Sequence, residues 1–190
     1  MSRVMMAAIM TPATRRRYPR CHSPSDSNDM NTPASTKRYC WEDLAVGRTI
    51  ALGSTTVTRD ATLAFAQQFD PQPFHLDDAA AEASLFRKLS ASGWHTCAMT
   101  MRLMCDGYLN DSSSLGSPGI DELRWLKPVY PGDTISAEMT VLEARVMNSK
   151  PHVGLVLSRW RVFNQDGVDV MTMQGWGMFG LRHPAPRDGA

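Results

Sequence analysis

Residues 69–78 read FDPQPFHLDD, and this stretch decides how the first half of the chain folds. Pro71 and Pro73 each fix their own φ, lack a backbone donor and push the preceding residue out of helical geometry. We therefore predict a stiff bend here, between a helix over residues 60–68 and a short Ala-rich helix that Asp77 caps.

The bend carries two titratable side chains, Asp70 and His75, five positions apart. The aromatic side chains of Phe69 and Phe74 are expected to point into apolar surroundings beside them. Such surroundings push the pKa values of a carboxyl and an imidazole apart and favour an acid/base pair near neutral pH. From the residues alone, a turn aspartate and a structural histidine remain the alternative.

Residues 93–106 form the second element that the pattern predicts. Residues 48–58 before them are rich in β-branched side chains and predict a strand. In residues 93–106 apolar side chains recur at three- and four-residue steps, which predicts a long helix lying on a sheet. The side chains expected to face that sheet are Trp94, Cys97/Ala98, Met101, Met104/Cys105 and Tyr108.

Four β-rich runs fill the rest of the chain. Turn sequences separate them, and the Asp-Gly pair at residues 166–167 is a strong hairpin signal. The order is one strand, helices, a long helix and an antiparallel meander, which predicts an α+β domain with its helices on one side of a curved sheet. The four runs are residues 115–127, 133–147, 152–164 and 168–181.

Length and composition limit the class of protein. The chain has 190 residues, 43% of them hydrophobic, which suits one domain with some tail left over. It has no run of 18 apolar residues, so we expect no membrane span. Residues 1–38 hold seven basic and two acidic side chains, which leaves 13 basic against 17 acidic in the remainder. That balance argues against a nucleic-acid-binding surface.

Neither the cysteines nor the histidines predict a metal site. The four cysteines show no CxxC spacing, and the five histidines do not cluster with cysteines or acids at zinc spacing. Thiols used as small apolar side chains are typical of a reducing compartment, so we expect a cytoplasmic protein.

Both ends of the chain are predicted to lie outside the domain. Residues 1–38 are rich in Ser, Thr, Pro, Asn and Arg without a hydrophobic period, which predicts a disordered tail. The first 25 residues contain five Arg and no acid, as organelle targeting segments do. A plain extension, or a misplaced start codon with translation beginning at Met30, is the preferred interpretation. The ordered domain is predicted over residues 39–183, with a short flexible C-terminus over residues 184–190.

Four motifs, in order, resemble the MaoC-like dehydratase family. That family has the hot-dog fold, in which a curved antiparallel sheet wraps a long central helix. The resemblance covers about residues 39–182. The motifs are WEDLAVG at residues 41–47, DPQPFHLD at 70–77, SGW at 92–94 and LKPVYPGD at 126–133.

The resemblance implies an enoyl-CoA hydratase, a hydro-lyase that converts trans-2-enoyl-CoA reversibly to (R)-3-hydroxyacyl-CoA. Asp70 and His75 would share one water and supply base and acid from the same face of the alkene. The Gly93 N–H, at the start of the central helix, would stabilise the developing enolate oxygen. The residues expected to bind the substrate are Gln72, Phe74, Ser92, Trp94 and His95.

The resemblance also implies what the protein binds. The substrate would be an acyl-CoA or acyl-carrier thioester, with no cofactor, and two chains would join their sheets in a homodimer. Candidate partners for the CoA phosphates are Arg124, Lys127, Arg159 and Arg161. For any one of them, a place on a solvated strand face is the preferred interpretation.

Two other functions remain open. A hot-dog thioesterase would direct water at the carbonyl carbon with an acid on the central helix. Residues 93–105 contain no acid and Asp106 lies at the far end, which weakens this alternative. A non-catalytic acyl-thioester-binding subunit is the other, because Gln72, Ser92 and Ala98 stand where the family usually has other residues.

Overall fold

The computed structural model describes residues 37–183. The predicted tail over residues 1–38, apart from its last two residues, and the predicted C-terminus over residues 184–190 lie outside the described residues. The described part consists of a five-stranded antiparallel sheet with helices. The helices are α1 (Arg59–Phe69), α2 (Pro73–Leu76), α3 (Asp78–Glu82) and α4 (Gly93–Gly107), with 3-10 turns at Trp41–Asp43 and Leu109–Asp111. The strands are β1 (Thr49–Thr56), β2 (Ser114–Trp125), β3 (Thr134–Met147), β4 (Lys150–Phe163) and β5 (Asp169–Gly180).

The strand order in the sheet is β1-β3-β4-β5-β2, and each neighbouring pair is antiparallel. The predicted α+β architecture is confirmed, and β3, β4 and β5 form a meander. The expectation that β2 belongs to the same meander is wrong, because β1 pairs with the other side of β3 and β2 pairs with β5 at the far edge of the sheet. The predicted Asp-Gly hairpin joins β4 and β5: Gly167 has a φ of 74°, and Asn164 Oδ1 accepts the Val168 N–H at 3.0 Å. Register shifts occur in all four ladders, and such bulges bend and twist a sheet.

The predicted helix–bend–helix is confirmed. The Thr58 hydroxyl caps α1 by accepting the Ala61 N–H at 3.2 Å, and α1 ends at Phe69. α2 begins at Pro73, whose fixed φ and missing N–H suit the first position of a helix. Asp77 then caps α3 by accepting the Ala80 N–H at 2.9 Å.

The expectation that Phe69 points into apolar surroundings is wrong. Its side chain is 63% exposed because it occupies the last position of α1, beyond the turns whose Thr62 and Ala66 are buried. Its ring contacts Phe65 on the same helix, with ring centroids 5.0 Å apart. Phe65, one turn earlier, is the aromatic residue through which α1 contacts α4, because it stacks on His95.

The long helix is confirmed as α4, but part of its predicted buried face is wrong. Trp94 and Met101 were expected to face the sheet and are 58% and 46% exposed. Thr96 and Thr100 are buried instead. Each hydroxyl donates to the backbone carbonyl four residues earlier, at 3.4 and 2.9 Å, so its hydrogen-bonding capacity is satisfied without water. The buried residues of α4 are His95, Thr96, Thr100, Leu103 and Met104.

The core lies between α4 and the sheet. Leu103 and Met104 belong to one buried cluster with residues of every strand except the edge strand β2. The helix packs closely on β1 at Gly107, where an added Cβ would lie 3.0 Å from the Leu52 Cα. The other end of α4 lies against the bend, since the N-cap residue Ser92 donates to Asp70 Oδ2 at 2.6 Å.

Among residues 37–183, no helix combines the length and the apolar character that crossing a membrane requires. The cytoplasmic location expected from the sequence stays a prediction.

Candidate active site

The bend between α1 and α2 brings the Asp70 carboxylate and the His75 imidazole together. His75 Nε2 lies 3.6 Å from Asp70 Oδ2, and the two side chains are 6% and 17% exposed. Asp70 follows the last residue of α1, and His75 sits in the single turn of α2 that Pro73 starts. The two prolines therefore set the relative orientation of the two groups.

The hydrogen bond at the other ring nitrogen fixes the tautomer of His75. Nδ1 lies 2.8 Å from the Ser90 carbonyl oxygen, which can only accept, so Nδ1 carries the proton. Nε2 of the neutral ring then presents its lone pair toward Asp70. The rings of Phe74 and Phe86 pack against the imidazole, with centroids 4.6 and 5.7 Å from its own.

Asp70 is held at both carboxylate oxygens. Gln72 Nε2 donates to Oδ1 at 2.8 Å, and Ser92 Oγ donates to Oδ2 at 2.6 Å. Burial on its own would raise the pKa of Asp70, but the hydrogen bonds from Ser92 and Gln72 and, when His75 is protonated, the positive charge of its ring outweigh that effect. The pKa of Asp70 is therefore below its usual value, and the group is ionised at neutral pH.

A cavity of about 410 Å³ opens beside this pair, at the start of α4. Its wall is mainly apolar, and its titratable groups are Asp70, His75 and Lys127. Trp94 and Trp125 line it and contact each other edge to face, with centroids 5.3 Å apart, and Trp125 Nε1 donates to the Gly93 carbonyl at 3.0 Å. The lining residues are Asp70, Gln72, Phe74, His75, Phe86, Ala91, Gly93, Trp94, Thr96, Trp125, Leu126, Lys127, Pro128 and Val129.

The structure brings six of the eight predicted site residues onto this cavity. They are Asp70, Gln72, Phe74, His75, Gly93 and Trp94. Ser92 and His95 lie outside the lining. Ser92 is fully buried behind Asp70, and its Oγ also accepts the Trp94 N–H at 3.2 Å, which caps α4.

His95 faces α1 rather than the cavity. Its ring stacks on Phe65 with centroids 4.9 Å apart and an interplanar angle of 15°. Within the described part of the chain its buried Nδ1 has no hydrogen-bond partner. Burial lowers the pKa of His95, so the ring stays neutral near pH 7.

Several lining residues were not predicted from the sequence as site residues. Thr96 had no distinguishing signal because a threonine inside a helix is ordinary. Phe86 comes from the loop after α3, and its carbonyl accepts the Tyr130 hydroxyl at 3.0 Å. Trp125 ends β2 directly before the LKPVYPGD motif, so that motif was the signal that could have identified it. In residues 37–183 we find no group of three or more His, Cys, Asp or Glu side chains suited to a metal ion.

Comparisons with known proteins identify a family and a fold to which the chain is similar. Residues 44–158 match the MaoC like domain. The crystal structure of a MaoC-like dehydratase from Rhodospirillum rubrum is 40% identical, with a TM-score of 0.71 over 76% of this chain and 98% of that one. The (R)-hydratase from A. caviae involved in PHA biosynthesis is 26% identical, with a TM-score of 0.56 over 74% of this chain and 98% of that one.

A relative in Cereibacter sphaeroides, mesaconyl-CoA hydratase, is 42% identical over 77 residues, which are 39% of this chain and 22% of that protein. The match to the domain model spans more than half of the chain and includes the bend, the cavity and the start of α4. The chain therefore belongs to the MaoC-like dehydratase family and has its hot-dog fold.

Proposed function

We propose that the protein is an enoyl-CoA hydratase, which adds water across the 2,3-double bond of an acyl thioester or removes it. The observation that carries this proposal is the pair of Asp70 Oδ2 and His75 Nε2, 3.6 Å apart beside the first turn of α4. The (R)-hydratase and mesaconyl-CoA hydratase relatives support the same reaction type.

The distance between the two atoms suits one shared water. At 3.6 Å they are too far apart for a good direct hydrogen bond. A water about 2.8 Å from each would donate one proton to Oδ2 and the other to the Nε2 lone pair. Its own lone pair is then directed away from both groups, toward the cavity in which the alkene would lie.

The start of α4 is the proposed site for the thioester carbonyl. The first N–H groups of a helix have no acceptor within the helix, and they form the positive end of its dipole. Ser92 uses the N–H of Trp94, while Gly93 lines the cavity. The Gly93 N–H would hold the carbonyl oxygen as it gains enolate charge.

The proposed step balances without a cofactor. The pair takes a proton from water, the water oxygen bonds to C3, and the π electrons move toward the thioester oxygen. The enolate then collapses, and the pair returns a proton to C2. One hydrogen and one hydroxyl have been added, and Asp70 and His75 regain their starting states.

The thioesterase alternative has less support. The acid on α4, Asp106, lies at the opposite end of the helix, outside the cavity lining, and is paired with Arg102 at 2.6 Å. The non-catalytic alternative rested on Gln72, Ser92 and Ala98. Gln72 and Ser92 both hydrogen-bond to Asp70, which supports an intact acid/base pair.

For the substrate, we propose a CoA or carrier-protein thioester whose acyl group lies among Phe74, Phe86 and Trp94. Lys127 is the cation of the cavity wall and would pair with a phosphate of CoA or with an acidic acyl group. Because one relative is a mesaconyl-CoA hydratase, mesaconyl-CoA belongs beside crotonyl-CoA in the first substrate panel.

We also propose that the protein is a homodimer. Trp94 and Met101 are exposed along one side of α4, and Leu115 and Ile120 are exposed on the edge strand β2. An exposed apolar helix side and an unpaired strand edge each favour association with another chain. A second copy would cover these residues and pair its own β2 with this one.

The test compares wild type with Asp70→Asn and His75→Gln, measuring the loss of enoyl absorbance and the release of free thiol in parallel. Each substitution is expected to reduce the hydration rate by about a hundredfold or more, since each removes a group that moves a proton. Chiral analysis should identify the product as the (R)-3-hydroxyacyl thioester.

Asp77→Asn is the matched control. It makes the same chemical change seven positions from Asp70, and asparagine caps a helix as well as aspartate does, so activity should stay near wild type. Full hydration by Asp70→Asn would overturn the proposal. Thiol release without hydration would identify a thioesterase, and binding without either would identify a non-catalytic subunit.

A further inference from the structure

The Ser92 hydroxyl makes two contacts whose directions are fixed by chemistry. Its Oγ lies 3.2 Å from the Trp94 backbone nitrogen, which can only donate. The single hydroxyl proton is therefore free for the second contact, Asp70 Oδ2 at 2.6 Å. An ionised carboxylate can only accept, so both bonds are satisfied in one arrangement.

We propose that Ser92 is a positioning residue, whose hydroxyl holds the Asp70 carboxylate ionised and directed at His75 while it caps α4. This inference rests on the proposed hydration and adds a residue that works through Asp70 without touching the substrate. It revises the expectation that Ser92 binds substrate.

The carboxylate oxygen that Ser92 contacts is the one nearest His75. Oδ2 accepts from Ser92 and lies 3.6 Å from His75 Nε2, whereas Gln72 holds the other oxygen. Ser92 is fully buried, and Gln72 is exposed. Water can replace the Gln72 amide at little cost but cannot reach the site of the Ser92 hydroxyl, so Ser92 dominates the orientation of Asp70.

The electrostatic balance at Asp70 supports the same role. Burial raises the pKa of Asp70, and the hydrogen bond from Ser92 is the foremost of the interactions that lower it. The other titratable groups on the cavity are His75 from α2 and Lys127 after β2, while His95 of α4 faces Phe65. Without the Ser92 hydroxyl, the pKa of Asp70 rises, and the carboxylate is protonated at higher pH.

The kinetic test uses Ser92→Ala, Ser92→Thr and a control at another helix cap. In Ser92→Ala we expect kcat to fall about tenfold or more with little change in KM, because a hydrogen bond to a charged group is lost. The acidic limb of the kcat/KM profile should move to higher pH. Ser92→Thr keeps the hydroxyl and should restore both the rate and the profile.

Thr58→Ala is the control because it removes an N-cap hydroxyl from α1, away from the cavity. The loss of the cap should lower the free energy of unfolding, while kcat and the pH dependence of kcat/KM stay unchanged. If Ser92→Ala behaves like Thr58→Ala, with an unshifted acidic limb, Ser92 only caps the helix and the proposal is overturned.

A second measurement separates this inference from the proposed reaction. The Asp70 carboxyl carbon can be titrated by NMR, with Asp70→Asn assigning the signal, and this needs no turnover. Ser92→Ala should titrate at higher pH than wild type, even if no enoyl thioester is hydrated. Should Ser92→Ala not fold, Ser92→Cys replaces the hydroxyl by a weaker donor, and its Asp70 carboxyl is also expected to titrate at higher pH than that of wild type. Equal titration in wild type and the variant would refute the role of Ser92.

Discussion

Trp125 packs directly on Gly93. Because of this contact, we predict that Gly93→Ala destabilises the wild-type protein but stabilises a variant that lacks the Trp125 ring. A Cβ added at Gly93 would lie 2.5, 2.7 and 2.9 Å from three atoms of the Trp125 indole. Real Cβ atoms do not approach other atoms so closely, so Gly93→Ala must push the ring away. The displacement also breaks the hydrogen bond from Trp125 Nε1 to the Gly93 carbonyl.

Three contributions set the size of the effect. Overpacking costs about 1–3 kcal/mol, and the low end applies because Trp125 is half exposed and can swing outward. The lost hydrogen bond costs about 1 kcal/mol. Replacing Gly by Ala at a compatible φ stabilises by about 0.5 kcal/mol. Gly93→Ala should therefore lower the free energy of unfolding by about 1.5 kcal/mol.

In a Trp125→Ala background the ring and its hydrogen bond are absent. Gly93→Ala should then stabilise the protein by about 0.5 kcal/mol, which gives a coupling of about 2 kcal/mol. Urea unfolding followed by far-ultraviolet circular dichroism measures all four proteins at one fixed concentration, since association changes apparent stability. Equal costs of Gly93→Ala in the two backgrounds would refute the packing argument.

Hydration assays on the same four proteins test the two roles of Gly93 separately. Alanine keeps the backbone N–H proposed to hold the thioester carbonyl, but it displaces one wall of the cavity. Activity lost in Gly93→Ala should therefore return in part when Trp125 is also replaced. If the loss is the same with and without Trp125, displacement of the ring is not its cause.

Two further predictions concern His95 and the exposed side of α4. Burial lowers the pKa of His95 in the folded chain. Below about pH 6.5 the unfolded chain therefore binds a proton at this position that the folded chain does not, and the free energy of unfolding decreases as the pH is lowered. His95→Phe keeps a ring against Phe65 and should flatten the loss of stability between about pH 7 and 5; an unchanged slope would contradict this. Met101→Glu should convert the dimer to monomer in sedimentation velocity, since it buries a charge at the proposed interface. Leu85→Glu changes an equally apolar residue, 96% exposed on a loop, and should stay dimeric; a dimeric Met101→Glu would exclude this interface.

The local features of the fold were predictable because they depend on neighbours in sequence. Pro71 and Pro73 end one helix and begin the next through their own covalent geometry, and Asp77 caps the helix that follows it. The hairpin at Gly167 likewise requires only a residue that tolerates positive φ. The pairing of Asp70 with His75 belongs to the same class, since both lie on one short rigid segment.

The buried face of α4 was only partly predictable, because the hydroxyls of Thr96 and Thr100 are hydrogen-bonded within the helix and both residues can therefore be buried. Hydrophobic periodicity selected the side with Trp94 and Met101, which are more apolar than Thr96 and Thr100. A threonine that bonds to the carbonyl four residues earlier packs through its methyl group, so its hydroxyl gives a misleading signal in a hydrophobicity pattern. The apolar residues left outside are those that the proposed second copy would bury.

The contact between Ser92 and Asp70 could not be read from the sequence, because a local explanation for Ser92 already exists. A serine before the first residue of a helix is what capping alone predicts, and nothing in residues 92–107 requires another partner. The second contact spans 22 positions and exists only because packing of α4 on the sheet brings the helix start against the bend. One oxygen atom therefore links the position of α4 to the orientation of the carboxylate. A substitution that shifts the start of α4 would disturb the acid/base pair without touching either of its members.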